Sequence, residues 1–158
     1  MTLEDETNWR SIWIANIIAF IGSVQNTSIV PTVWPYLKKI DISTTETLYG
    51  FIRGLNALGQ TLAAIISGYF TNKIEDTKPS MISAKILVIL AAFCFCFMGI
   101  FPSAYIIFFI VFEFVLGVAT GTGSVYRTHV AMASTEADRS KAYASTQLSM
   151  AIGMIAGP

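Results

Sequence analysis

Charge is what this sequence has least of. Only 13% of its 158 residues are Asp, Glu, Lys or Arg, about half the share usual in a soluble domain. The few charges are bunched, leaving residues 11–37, 54–72 and 86–112 uncharged. Basic and acidic residues balance at ten each and form no basic tract, which removes nucleic acid from the list of partners. Histidine is almost absent, and the single His129 reads as a solvated loop residue. The two cysteines, Cys94 and Cys96, sit at i, i+2 in an apolar run and face different sides of a helix. That spacing excludes a disulfide framework or a metal site and leaves them as small packing residues. With no His/Cys/Asp cluster there is no recognisable reaction centre, so no enzyme, cofactor or metal is expected.

What is plentiful is hydrocarbon. Apolar residues make up 54% of the chain and mean hydropathy is +0.61. Runs of this length are read as transmembrane helices, because about 20 helical residues cover the roughly 30 Å of a bilayer core. The expected fold is an all-α integral membrane protein in contact with lipid on most sides. Four complete spans, about 11–33, 48–70, 81–101 and 105–127, are followed by an incomplete fifth, about 142–158, with no polar flank beyond it. Trp9, Trp13, Trp34 and Tyr36 bracket the first span as interfacial aromatics do. Pro31 and Pro35 are expected to loosen or end it, with a loop over 38–47. Pro102-Ser103 reads as a short turn. The acidic tail MTLEDETNWR leads into a run too long for a signal-peptide core, so the first span reads as an uncleaved anchor. Seven Lys and Arg (Arg10, Lys73, Lys78, Lys85, Arg127, Arg139, Lys141) fall on one side against Lys38 and Lys39 on the other. The positive-inside rule then puts the N-terminus in the cytosol.

Polar residues inside spans are the informative minority. On a 100° wheel, Glu113, Gly117, Thr120, Gly121, Ser124 and Arg127 share one narrow face, while Val115, Val118, Val125 and Tyr126 fall away from it toward lipid. In the second span Arg53, Asn56, Ala57, Gln60, Ala64, Ser67 and Gly68 share a line. In the first, Asn16, Ser23 and Thr27 share a face, fit either to line a cavity or to bond between helices. The third span is apolar nearly all round and suits a peripheral position. Arg53 and Glu113 both enter from the non-cytosolic side, about 8 and 12 Å deep at 1.5 Å per residue. They either pair or share one aqueous cavity; otherwise Arg53 snorkels outward and Glu113 is protonated. Glu113 is then a candidate proton carrier and Arg53 a candidate anion holder.

Several motifs carry a likeness. Trp34 to Asp41 reads WPYL-x-KID; Leu58-Gly59-Gln60 and Gly68 follow in the second span. Gly117, Gly121 and Val125-x-Arg127 stand in the fourth, Asp138-Arg139 beyond it, and Gly153-x-x-x-Gly157-Pro158 in the fifth. Together they resemble the N-terminal portion of a lysosomal branch of the major facilitator superfamily. The resemblance implies a partial N-terminal half of a twelve-helix transporter in the lysosomal membrane. Such a transporter moves a small solute or anion by alternating access, with proton coupling a candidate. It also implies that the remaining helices come from a full-length chain or a related protein. Gly68, Asn72, Lys73, Arg127 and Arg139 would belong to the cytosolic-loop motif, and Gly117, Gly121, Gly153, Gly157 and Pro158 to helix packing. Asn72 replaces the acidic residue usual in that loop, and Glu113 stands where the family places an arginine. The alternative is a truncated, non-transporting membrane protein that packs with or regulates a full-length relative.

Overall fold

The computed structural model describes residues 6–101 and 104–157 and is built from helices alone, with no strand among the described residues. They are α1 (Trp9–Ile40), α2 (Glu46–Ile74), α3 (Lys78–Ile100), α4 (Tyr105–Gly123), α5 (Tyr126–Ala133) and α6 (Arg139–Ala156). The expected turn at Pro102-Ser103 and the motif residue Pro158 lie outside the described residues. Three helical stretches are long and apolar enough to cross a membrane: Trp9–Ile40, Lys78–Ile100 and Tyr105–Ala133. Together with the family assignment reported below, they make this a multi-pass membrane protein. At 29 residues α2 is long enough, but it is not among the three, because Arg53, Asn56 and Gln60 dilute its hydrocarbon.

The chain divides into two compact units, one of Met1–Pro35 with Tyr126–Pro158 and one of Tyr36–Val125. In the second unit α2 starts where the Thr45 side chain accepts the Leu48 N–H at 3.3 Å, satisfying one of the donors that a helix start leaves free. It stops at Glu75, which takes a left-handed backbone (φ 57°) and returns its N–H to the Thr71 carbonyl. Asp76 Oδ1 then accepts the Lys78 N–H at 3.0 Å, and Pro79 in the first turn of α3 costs no hydrogen bond. α4 packs on both α2 and α3. On the α3 side the contact is aromatic: Phe95 meets Phe112 at 5.1 Å between ring centroids, and the other neighbour of Phe95 is Tyr36 near the end of α1, at 5.2 Å. On the α2 side glycines replace bulk. A methyl on Gly117 would strike the Asn56 carbonyl oxygen, and one on Gly121 the Gln60 carbonyl oxygen. Small residues let two backbones close in this way inside a bilayer, where association depends on packing.

The end of α1 joins this unit through Asp41. Tyr105, the first residue of α4, donates its hydroxyl to Asp41 Oδ2 at 2.8 Å, and Ser43 donates both its N–H and its hydroxyl to Asp41 Oδ1. Those donors, Ser43 first and Tyr105 next, hold the Asp41 carboxyl below the ordinary aspartate range.

In the first unit Gly153 of α6 and Gly157, which caps its end, sit against α1. A methyl on Gly153 would lie 2.7 Å from the Phe20 carbonyl oxygen, and one on Gly157 would strike the Thr27 hydroxyl. The N-terminal tail is tied down: Asn8 N–H reaches the Ala133 carbonyl at 2.9 Å and Thr7 donates to Asp138 Oδ2 at 3.1 Å. Lys141 first, then Thr7, keeps the Asp138 carboxyl below its usual range.

Four local expectations are corrected. The first helix runs through both prolines to Ile40, and residues 38–40 are helical, not loop. Val33 and Leu37 on that stretch are almost wholly buried, so tertiary packing outweighs two lost hydrogen bonds. Val125 and Tyr126 are buried instead of facing lipid, because α4 ends at Gly123 and a wheel drawn past that break has the wrong phase. The buried face of α2 is Ile52, Gly59, Ala63, Ser67 and Thr71, rotated by roughly 70° from the polar line at 100° per residue, with Ser67 common to both. His129 lies on α5, with Nε2 2.9 Å from the Ser11 hydroxyl, and is no loop residue. As expected, α3 keeps a broad outer face, with Ile82, Ile86, Ile89, Phe93 and Ile100 more than half exposed.

Candidate functional site

The site forms where α2 and α4 run closest. Gly117 removes the side chain that would hold the helices apart, and Glu113, one turn earlier on the same face, then points at α2. Its side chain is fully buried, at 0% exposure. Arg53 Nη1 lies 3.1 Å from Glu113 Oε2 and 3.3 Å from Oε1. Asn56, three residues on from Arg53, donates its amide to the Glu113 main-chain carbonyl at 2.8 Å. An ion pair and an amide-to-carbonyl hydrogen bond are thus stacked along one helix contact.

The electrostatics favour pairing over isolation. A carboxylate in a low-dielectric interior loses several kcal/mol of solvation, roughly, and a facing guanidinium restores part of it. Arg53 keeps 33% of its side chain exposed. Its Nη1 serves both carboxylate oxygens, and part of the side chain remains accessible. The arrangement can therefore hold a buried negative charge, exchange it for a proton, or present a positive edge to an anion.

Other candidates fall elsewhere. The Gln60 side chain is exposed, and what α4 meets is its carbonyl oxygen, at Gly121. Asn16 belongs to the first unit, where it donates to Ser145 Oγ at 3.0 Å and accepts from Thr146 Oγ1 at 2.7 Å. Thr27 donates to the Ser23 carbonyl one turn back at 2.7 Å, while Ser23 itself lies under Gly153. Of the two readings of this α1 face, helix–helix bonding describes Asn16. Gly68, Asn72 and Lys73 are exposed near the end of α2, and Arg127 and Arg139 are exposed in the other unit. Ser145, Thr146 and the Asp41–Tyr105 clasp were not singled out from sequence. Thr146 is almost fully buried, and the adjacent hydroxyls of Ser145 and Thr146 near the start of the last apolar run were the available signal.

The chain matches the Major Facilitator Superfamily pattern over residues 12–158. It is similar to Major facilitator superfamily domain-containing protein 8 of Xenopus laevis, with 29% identity over 154 residues that cover 97% of this chain and 30% of that relative. The chain thus spans about a third of that relative's length. No solved structure matches it. The family pattern takes in every helix described above apart from the first turn of α1, and the chain belongs to the Major Facilitator Superfamily.

Proposed function

We propose that this chain forms part of a major-facilitator transporter that moves a small solute or anion by alternating access. The Arg53–Glu113 pair would lie on the solute or ion pathway. The observation that carries this reading is the ion pair itself: a fully buried carboxylate bound by a partly exposed arginine at 3.1 Å on helices of a membrane protein. Intramembrane charges are costly to keep and mark ion or substrate routes more often than packing. Family membership supports the transporter class. In this reading the N-terminus is cytosolic, on the excess of Lys and Arg in the loops of that side. The membrane is lysosomal, by likeness to the branch named from the sequence. Glu113 carries a proton when Arg53 releases it, and the exposed edge of Arg53 receives an anion.

The test is uptake of a panel of small organic anions into liposomes holding the full-length protein, across a pH gradient. Glu113→Gln removes the pH dependence of uptake, and Arg53→Gln removes uptake itself. Wild-type rates and wild-type pH dependence in both variants would end this reading.

A further inference from the structure

The contact between α2 and α4 repeats along its own axis. Gly117 meets the main chain of Asn56 and Gly121 that of Gln60, each 61 positions earlier, so the two helices run parallel. The two glycines are four residues apart, and Gly59, Ala63 and Ser67 keep the same interval on the buried face of α2. So do the rings of α4, Tyr105 with Phe109 and Phe108 with Phe112. Sliding α4 by four residues, about 6 Å along α2, brings small residues to carbonyls and rings to rings once more. Main-chain carbonyls are alike at every turn, so packing alone does not select one of these registers.

The polar contacts between the two helices do, and they converge on one residue. Glu113 is held twice from α2: its side chain by Arg53 at 3.1 Å, and its main-chain carbonyl by the Asn56 amide at 2.8 Å. A carbonyl oxygen has a second lone pair beyond the one its own helix ladder uses, so the Asn56 bond leaves α4 intact. It also ends on backbone, which has no rotamer to adjust, whereas the long Arg53 side chain can follow a displaced carboxylate. Gly117, one turn beyond Glu113, lets the Asn56 main chain come close enough for the bond. One polar residue in an apolar seam is a known means of fixing register between helices. We infer that Asn56 is a positioning residue, which sets the register of α4 on α2 and so the height at which Glu113 meets Arg53. The matched signature is Arg53-x-x-Asn56 on one helix and Glu113-x-x-x-Gly117 on the other. A one-turn slip moves the carboxylate about 6 Å along α2 and leaves it buried without its counter-charge. For transport, this inference rests on the role given above to the ion pair; the register itself does not.

The test is the coupling between Arg53 and Glu113, measured in the full-length protein by a double-mutant cycle of Arg53→Met and Glu113→Leu. Unfolding in mixed micelles supplies the energies, and the cycle is repeated with Asn56→Leu in all four members. The coupling should fall by at least half. Asn56→Ala makes the same cut and serves where the leucine variant does not fold. Tyr105→Phe removes the tie between the start of α4 and Asp41; it should lower stability and leave the coupling as in the wild type. A residue that only adds stability shifts all four members alike, so an unchanged coupling in both Asn56 variants would overturn the assignment. So would a coupling lost as fully on Tyr105→Phe, meaning that the start of α4 sets the register, or a wild-type cycle with no coupling. If Arg53→Gln and Glu113→Gln leave uptake untouched, the transport reading falls, while the cycle still decides the role of Asn56.

Discussion

Adding one methyl group at Gly117 tests the whole account of the α2–α4 contact. The new carbon would collide with the Asn56 carbonyl oxygen and lie 2.9 Å from the Asn56 carbonyl carbon and 3.0 Å from its Cα. Carbon atoms pack at about 3.5–4.0 Å, so α4 must retreat by roughly an ångström against main chain that cannot rotate away. Overpacking of this kind costs about 1–3 kcal/mol. Alanine's better helix propensity returns about 1 kcal/mol, so a net loss of about 0–2 kcal/mol is expected, against a gain of up to about 1 kcal/mol where the methyl group meets nothing. Gly121→Ala meets the same obstacle at Gln60, and the two together should fall short of additivity because one displacement relieves both. A methyl group added at Gly54 or Gly68 of α2 would have nothing within 4 Å, so alanine there should be neutral or mildly stabilising. The assay is reversible unfolding in mixed micelles followed by helical circular dichroism, with the four single variants and the Gly117/Gly121 double variant in parallel. If Gly117→Ala is as stable as Gly68→Ala, the close backbone approach is wrong, and with it the geometry that brings Glu113 to Arg53.

Further outcomes follow from the same structure. Glu113→Leu or Arg53→Met alone should each destabilise by about 1–3 kcal/mol, below the range for a fully buried pair because Arg53 is partly exposed; the double variant should recover most of that in the same unfolding assay. Asn16→Ala removes the acceptor of the buried Thr146 hydroxyl and should cost about 0.6 kcal/mol and at most about 1.7 kcal/mol, the mean and maximum found for bonds between membrane helices, read by unfolding of the same kind. Asp41 has a lowered folded-state pKa, so its clasp contributes stability above the ordinary aspartate value of about 3.9 and loses it as pH falls through the lower folded value. Amide exchange at Ser43 should therefore stay slow at pH 5, and Asp41→Ala, which removes the side-chain acceptor, should make it fast at every pH. Thr7→Val should free the N-terminal tail from Asp138, seen as faster exchange at Asn8.

Much of this was readable from residue order, for reasons that differ by feature. The all-α membrane class follows from where charge is missing. The Arg53–Glu113 pairing was one of the arrangements open because each is the only charge in a long uncharged span, and depth along a helix is simple arithmetic. The exact packing face of α2 was not readable: amides marked a polar line, but glycine and alanine decide which side a neighbour can approach. Pro31 and Pro35 argued for an early end to α1, whereas burial of Val33 and Leu37, a tertiary fact, keeps it helical. The break at Ser124–Val125 also escaped, since Gly123 is the sort of residue that serves equally in a membrane helix and at its end. Asp41 carried a motif but no visible partner, because Tyr105 lies 64 positions away.

The low hydrophobicity of α2 bears on how the protein is made. Arg53 precedes Glu113 by 60 residues, and at a synthesis rate of about 5–20 residues per second its counter-ion leaves the ribosome roughly 3–12 s later. During that interval a helix burdened with an unpaired arginine, at about 2.5–3.5 kcal/mol near a bilayer's centre, is poorly suited to partition into lipid alone. It has to wait beside the insertion machinery or enter in company with its neighbours, so that integration and assembly become one event. Quality control in the membrane would then sense α4: any defect that delays or misplaces Glu113 leaves α2 as the element exposed to recognition and removal.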